Sequence, residues 1–127
     1  MSKPKEIDFG FMYESPKIWK LDIPVEQIPI SELESNLDIP YLEKEGTDDW
    51  NLTLRELISD AKKEPAHYEK VKNAKLEYPI EIYFFEGSWK ILDGIHRLCK
   101  ALLEGKKTIS VRKVTDDMIP KILKDVV

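Results

Sequence analysis

The stretch from Trp89 to Lys113 constrains this chain more than any other. Ile95, Leu98, Cys99, Leu102 and Leu103 recur at i, i+3, i+4, i+7 and i+8, which places them on one face of an α-helix. Trp89-Lys-Ile-Leu precedes that stripe, and Thr108 to Val114 follows it with Ile109, Val111 and Val114 set against polar residues, so a strand is expected on each side. Gly105 stands where a left-handed helix cap belongs, with Lys106 and Lys107 beside the negative end of the helix dipole. Upstream, Tyr78 to Phe85 is rich in β-branched and aromatic residues. The turn Glu86-Gly87-Ser88 joins it to Trp89 as a hairpin.

The rest of the chain is less regular. Residues 1–17 lack periodicity and hold Pro4, Gly10 and Pro16, which reads as an N-terminal arm ahead of a single domain over 18–127. Ile18 to Ile30 has strand-forming residues interrupted by Pro24 and Pro29. Proline removes a ladder donor, so an edge strand or an extended lead-in is expected. Ser31 to Leu37 can form a short helical turn, and Asp38 to Asp49 is a loop ending at Trp50. Thr53 and Glu56 have capping-box spacing, and Leu54, Leu57, Ile58 and Ala61 form a helical face. A second helix is expected from Ala66 to about Ala74, with Tyr68 and Val71 inward. Asp116-Asp117 opens a last helix carrying Met118, Ile119, Ile122, Leu123 and Val126.

At 127 residues and 42% apolar composition, one core can form. No apolar run is long enough to span a bilayer, and Met1 to Lys5 does not open a signal peptide. The single cysteine forbids an intramolecular disulfide, which makes a reducing, cytoplasmic setting the default. The net charge is −4, which disfavours nucleic acid as a partner. From Trp89 onward, however, nine Lys and Arg face five Asp and Glu, a local balance that suits an anion.

The chemistry concentrates at Asp93-Gly94-Ile95-His96-Arg97, where a strand meets a helix N-terminus. Such a terminus exposes unpaired backbone N–H groups and a partial positive charge, to which an anion can bind. Gly94 has no side chain to keep a ligand from the backbone. Arg97 can offer a planar set of donors to phosphate oxygens, and His96 can donate with a charge that varies near neutral pH. Asp93 can cap the helix, or hold a metal or a ligand hydroxyl. The plainer alternatives stay open: Asp-Gly is a common turn, and His96 and Arg97 can each bond only to neighbouring protein groups.

Ile91 to Arg112, with the turn Gly94-Ile95-His96-Arg97, the helix ending at Gly105 and the following Ile/Val strand, resembles the core motif of the ParB/sulfiredoxin superfamily. Ile23 to Ile30 resembles the family's first strand, and Tyr78-Pro-Ile the strand before the hairpin. The resemblance implies a compact α+β fold, a small mixed sheet with helices packed around it, and a nucleotide phosphate bound at the turn. Gly94, His96 and Arg97 match the motif's glycine and its phosphate-contacting positions, with Ile95 between them. Sulfiredoxins carry their catalytic cysteine where this chain has Ile95, and Cys99 lies on the buried stripe, so sulfiredoxin chemistry is not expected. Only 13 residues follow Val114, so a stand-alone ParB-like core is expected rather than a partitioning protein with a helix-turn-helix domain.

Some relatives in this superfamily are kinases of small hydroxylated substrates and others are nucleases. The first expectation is therefore a phosphotransferase or nucleotide hydrolase using ATP, ADP or another nucleotide with Mg²⁺. Such chemistry needs a carboxylate base and an acid for the metal. Glu32, Asp48, Asp49 and Asp93 are candidates, with Glu26 and Glu32 flanking the first-strand segment. Glu32, Asp93 and His96 are the expected catalytic residues, and Asp93 the expected metal ligand. Trp50 can stack on a base. His67 reads as an ordinary helix-face residue. The alternatives are a non-catalytic nucleotide-sensing module and a ParB-like nucleic-acid binder or nuclease.

Overall fold

The computed structural model of the chain describes residues 3–47 and 49–125. Its centre is a four-stranded sheet of β1 (Glu26–Pro29), β2 (Ile80–Phe85), β3 (Ser88–Asp93) and β4 (Thr108–Val114), in the order β1-β4-β2-β3. The sheet is mixed: β1 and β4 run antiparallel, β2 and β4 parallel, and β2 and β3 antiparallel. The hairpin between β2 and β3 turns on Glu86 and Gly87, at φ 51° and 82°. Two positive φ values give the turn a twist that matches the flanking strands.

The helices are α1 (Ser15–Trp19), α2 (Leu54–Ser59), α3 (Pro65–Asn73), α4 (Ile95–Leu103) and α5 (Ile119–Ile122). On one face of the sheet, Ile28, Ile80, Ile82, Ile91, Ile109 and Val111 pack against Leu54, Leu57, Val71, Leu98 and Cys99. Each such side chain contributes about 1.5–3 kcal/mol when fully buried. The C-terminal end of α4 closes as expected. Gly105, at φ 72°, donates to the Leu102 carbonyl and Lys106 to that of Ala101, the paired bonds of a Schellman motif. Leu103 departs from the expected stripe at 45% exposure, while Ala101 is buried. α2 and α3 cover the Ala101 flank of α4 and leave the Leu103 flank open to solvent.

The other face is covered by the chain's two ends. Ile18, Leu92, Val114 and Ile122 form a second buried cluster, with Phe9, Phe11 and Tyr13 packed on it. The expected arm is therefore part of the body over its described length. Phe9 meets Tyr83 and Phe85 edge-on at 5.5 and 5.0 Å, and the Tyr13 hydroxyl donates to the Leu92 carbonyl at 2.7 Å. Ile18, expected in an extended segment, lies in α1 with Pro16 in the first turn, where proline costs no hydrogen bond. β1 is the expected edge strand. The last helix is shorter than expected, because the chain leaves α5 to pair Leu123 with Tyr13. Val126 lies outside the described residues.

Glu81 and Arg112 form a buried ion pair at 2.9 Å under this second layer. Arg112 also donates to the carbonyls of Ile18, Leu21 and Ile23, so one guanidinium ties the α1–β1 connection to the sheet. Burial raises the Glu81 carboxyl above its ordinary pKa, against the opposing pull of Arg112. The outer edge of β3 is covered by the 3₁₀ segment Ile30–Asp38 and the residues after it. Buried Asn36 donates to the Trp89 carbonyl at 2.8 Å and accepts from Tyr41, whose hydroxyl accepts the Ile91 N–H at 2.9 Å. These side chains occupy two of the outward ladder groups of this edge, which hinders strand addition there.

Candidate functional site

The turn between β3 and α4 is shaped first by the chain itself. Gly94 is the N-cap of α4 at φ 107°, a conformation that L side chains rarely adopt. A Cβ built there would lie 3.1 Å from Ile80 Cγ1, 3.2 Å from Arg97 Nη1 and 3.3 Å from Ile80 Cα. A side chain at Gly94 would therefore meet β2 and the Arg97 guanidinium, so the packing of the chain itself calls for glycine here.

Nothing on the Gly94 residue can cap the helix, and no side chain does so. Asp93, for which a cap was one of the readings, accepts from the Trp19 indole N–H at 2.7 Å and lies 3.7 Å from Arg97 Nη2. The first bond that closes α4 runs from the Leu98 N–H to the Gly94 carbonyl at 3.0 Å. The backbone N–H groups of Ile95, His96 and Arg97 therefore have no acceptor among the described residues. This is the unsatisfied terminus at which an anion is favoured.

Arg97 donates through Nη1 to the Pro79 carbonyl. With a 21% exposed side chain, it braces the entry to β2 and keeps most of its five N–H donors without a protein acceptor among the described residues.

His96 is paired with a second histidine. Its Nε2 is 3.0 Å from Nδ1 of His67, whose own Nε2 is 2.7 Å from the Glu43 carbonyl oxygen. The two rings stack with centroids 5.3 Å apart. Burial, with His67 and Lys70 nearby, lowers the His96 pKa to about 4, so at neutral pH it carries no charge. The plain helix-face reading of His67 is also corrected. It is buried at 8% exposure and reaches the site from α3.

Around the turn lies an open depression of about 460 Å³, lined by Asp93, Gly94, Ile95, His96 and Arg97 and by Glu69, Lys70, Asn73 and Ala74 of α3. Lys70 and Asn73 were not singled out by motif. The signal was present: His67, Lys70 and Ala74 repeat at i, i+3 and i+7 along α3, which is one helix face.

The remaining candidates are not gathered here. Glu32 is exposed in the 3₁₀ segment Ile30–Asp38. Its neighbours Ser31 and Leu33 line a separate hollow with Gly105, Lys106 and Lys107, at the far end of α4, about 13 Å of helix from the turn. Glu26 pairs with Lys113 at 3.3 Å. Trp50 does reach the turn: with Phe9, Tyr13 and Tyr41 it lines a smaller hollow of about 200 Å³ that Asp93, Gly94 and Ile95 also border. The Asp49 carboxylate accepts from the Trp50 N–H at 2.8 Å, and Asp48 lies outside the described residues.

Among the described residues, no three His, Cys, Asp or Glu side chains are grouped to hold a metal. Asp93 at the turn and Glu69 on α3 are the carboxylates that line the depression, and they do not form an all-protein metal cage. Cys99 is fully buried, and burial raises its pKa to about 11, which agrees with an inert thiol. No helix among the described residues is long and apolar enough to cross a membrane.

No family model and no curated protein matches the chain. Among solved structures, sulfiredoxin from Arabidopsis thaliana is similar, with 17% identity and a TM-score of 0.34 over 76% of this chain and 93% of that chain. A likeness this low in identity and TM-score carries no statement about chemistry. The α+β class rests on the geometry of the chain itself.

Proposed function

We propose that this protein binds the phosphate of a nucleotide at the N-terminus of α4. The observation that supports this reading best is the convergence of donors on one depression. The uncapped N–H groups of Ile95, His96 and Arg97, the Arg97 guanidinium and the side chains of Lys70 and Asn73 all border it. Backbone donors at a helix terminus and a nearby guanidinium are the groups that recognise phosphate. ATP, ADP or another nucleotide is the proposed ligand. Mg²⁺ carried in with it needs few protein ligands, since it keeps its waters and the phosphate oxygens, and Asp93 and Glu69 are the carboxylates within the lining. A phosphotransferase to a small hydroxylated acceptor, or a nucleotide hydrolase, is the catalytic form of this reading, with Asp93 and His96 the groups at hand.

A second reading, nucleotide sensing without turnover, is favoured by one observation. Asp93 is already engaged by Trp19 and Arg97, and Glu32 does not reach the turn, so the carboxylate a phosphotransferase needs as a base is not free.

The test is a thermal-shift panel of ATP, ADP, CTP, GTP and inorganic phosphate, with and without Mg²⁺, on wild type and on Lys70→Ala and Arg97→Ala. Ligand at a hundred times its Kd adds about 2.7 kcal/mol of stability. A stabilising nucleotide whose effect shrinks in both variants supports the site, and turnover of that nucleotide separates enzyme from sensor. No shift with any ligand overturns the proposal.

A further inference from the structure

The phosphate reading uses the N–H groups and cations of the depression but leaves the buried ring of His67 without a task. The hydrogen bonds around that ring assign one. A backbone carbonyl can only accept, so the 2.7 Å contact to Glu43 requires the proton of His67 to sit on Nε2. His67 Nδ1 is then a lone pair, and the 3.0 Å contact requires His96 to donate to it from Nε2. In the neutral protein this leaves His96 Nδ1 as a lone pair as well. His96 lines the depression, and among the described residues nothing bonds to its Nδ1. An oxyanion placed against that nitrogen meets a lone pair and is repelled.

We propose that His67 is a positioning residue that fixes the tautomer of His96, so that an oxyanion bound at the α4 N-terminus is accompanied by uptake of one proton by the pair. The inference rests on the phosphate reading above and adds its regulation. The step balances simply. One proton from solvent adds to His96 Nδ1 and turns that lone pair into a donor to the oxyanion. His96 Nε2 still donates to His67 and His67 Nε2 to Glu43, so every bond of the chain is kept. The imidazolium adds one positive charge beside the anion.

The surrounding charges are consistent with this. Lys70 disfavours a proton on His96 in the free protein, and an oxyanion reverses that balance. Of the acids near the depression, Glu69 is paired with Lys72 at 3.0 Å and Asp93 faces Trp19 and Arg97. On the His67 side, Glu64 accepts from the Glu45 N–H at 3.0 Å. On α2, which also packs on α4, Arg55 pairs with Asp38, and Glu56 faces Thr53 and Lys44. Lys100, a turn along α4, donates to the Lys72 and Ala74 carbonyls. Among the described residues, the depression thus has no free carboxylate beside His96 to hold a proton in the absence of ligand.

The test measures sulfate and ADP affinity between about pH 5.5 and about pH 8.5, across the range in which a histidine titrates. Sulfate keeps its charge throughout, so any slope belongs to the protein. Wild type is expected to bind about tenfold more weakly for each unit rise in pH over part of this window, the signature of one linked proton.

His67→Gln can donate to Glu43 through its amide and accept from His96 through its carbonyl, so it is expected to keep the slope. His67→Leu frees His96 to carry its proton on Nδ1 while neutral, so the slope is expected to collapse. His96→Asn, which cannot titrate, is expected to lose it too and provides the answer should His67→Leu fail to fold. With only two histidines in the chain, ring ¹⁵N spectra read the tautomers directly, and each neutral ring is expected to carry its proton on Nε2. Binding with no slope in wild type, or an unchanged slope in His67→Leu and His96→Asn, overturns this inference alone. Absence of sulfate and ADP binding at every pH overturns the phosphate reading and this inference with it.

Discussion

The N-termini of α2 and α4 are built in opposite ways. At α2, Thr53 accepts the Glu56 N–H at 3.1 Å, and Glu56 reaches back to the Thr53 N–H at 3.1 Å. The terminus is closed by its own side chains. At α4 the cap is Gly94, which has no side chain, and the adjoining Asp93 is turned away to Trp19. The C-terminus of α4 is closed by Gly105 and Lys106, so the open end is not a general feature of that helix. A fold that closes one helix start and leaves another bare beside Lys70 and Arg97 leaves at the second the donors a ligand would use.

The contrast can be broken by substitution. Gly94→Ala is expected to cost the most, about 2–4 kcal/mol, because strain at φ 107° adds to a contact of 3.1 Å with buried Ile80. Gly105→Ala has the same kind of backbone at φ 72° with nothing within 4 Å, so about 1 kcal/mol is expected. Chemical denaturation of the two variants checks the ordering, and equal losses would mean that Ile80 does not press on the turn.

Acid sharpens the same comparison. The His96 pKa is lowered to about 4 from the ordinary 6.5. The unfolded chain therefore binds this proton first, and stability falls as pH drops from about 6.5 toward about 4. After discounting for the ring's partial exposure the loss is about 2 kcal/mol. Melting temperatures of wild type and His96→Asn across this range read it, and the variant is expected to show the smaller fall. Saturating oxyanion is expected to blunt the fall in wild type alone.

Thr53→Ala opens the closed terminus of α2 and is expected to cost about 1 kcal/mol, with no change in nucleotide affinity. Asp93→Asn is the smallest effect. It keeps an acceptor for Trp19 and removes a partly exposed ion pair of 3.7 Å with Arg97, so a stability change of a few tenths of a kcal/mol is expected. Phosphate affinity is expected to rise, because a negative charge leaves the depression. A fall in affinity would instead support Asp93 as a ligand to Mg²⁺.

Much of the local structure was legible in the amino-acid order. The capping box, the hairpin, the helix between Gly94 and Gly105 and the strand after it depend on residues within four or five positions of each other, and the structure has all of them. Where expectation and structure differ, distant residues decide. The first 17 residues read as an arm because their aromatics have no periodicity, yet the described ones cover the Leu92 and Val114 face of the sheet. Ile18 joined a helix because that places it in the same buried cluster.

The turn shows the same division. Its donors follow from a glycine at a strand-to-helix junction, which the sequence alone determined, together with the inert placement of Cys99. The partners of those donors did not follow. His67 and His96 lie 29 positions apart, and Trp19 and Asp93 lie 74 apart. Local propensity and hydrophobic period carry no information about which helices will cross or which loop will lie over a strand end. Only the packing of α3 against α4, and of α1 against the end of β3, settled that His96 is neutral and that Asp93 is engaged, because a side chain's charge and hydrogen bonds are set by the groups that tertiary contact brings within a few ångströms.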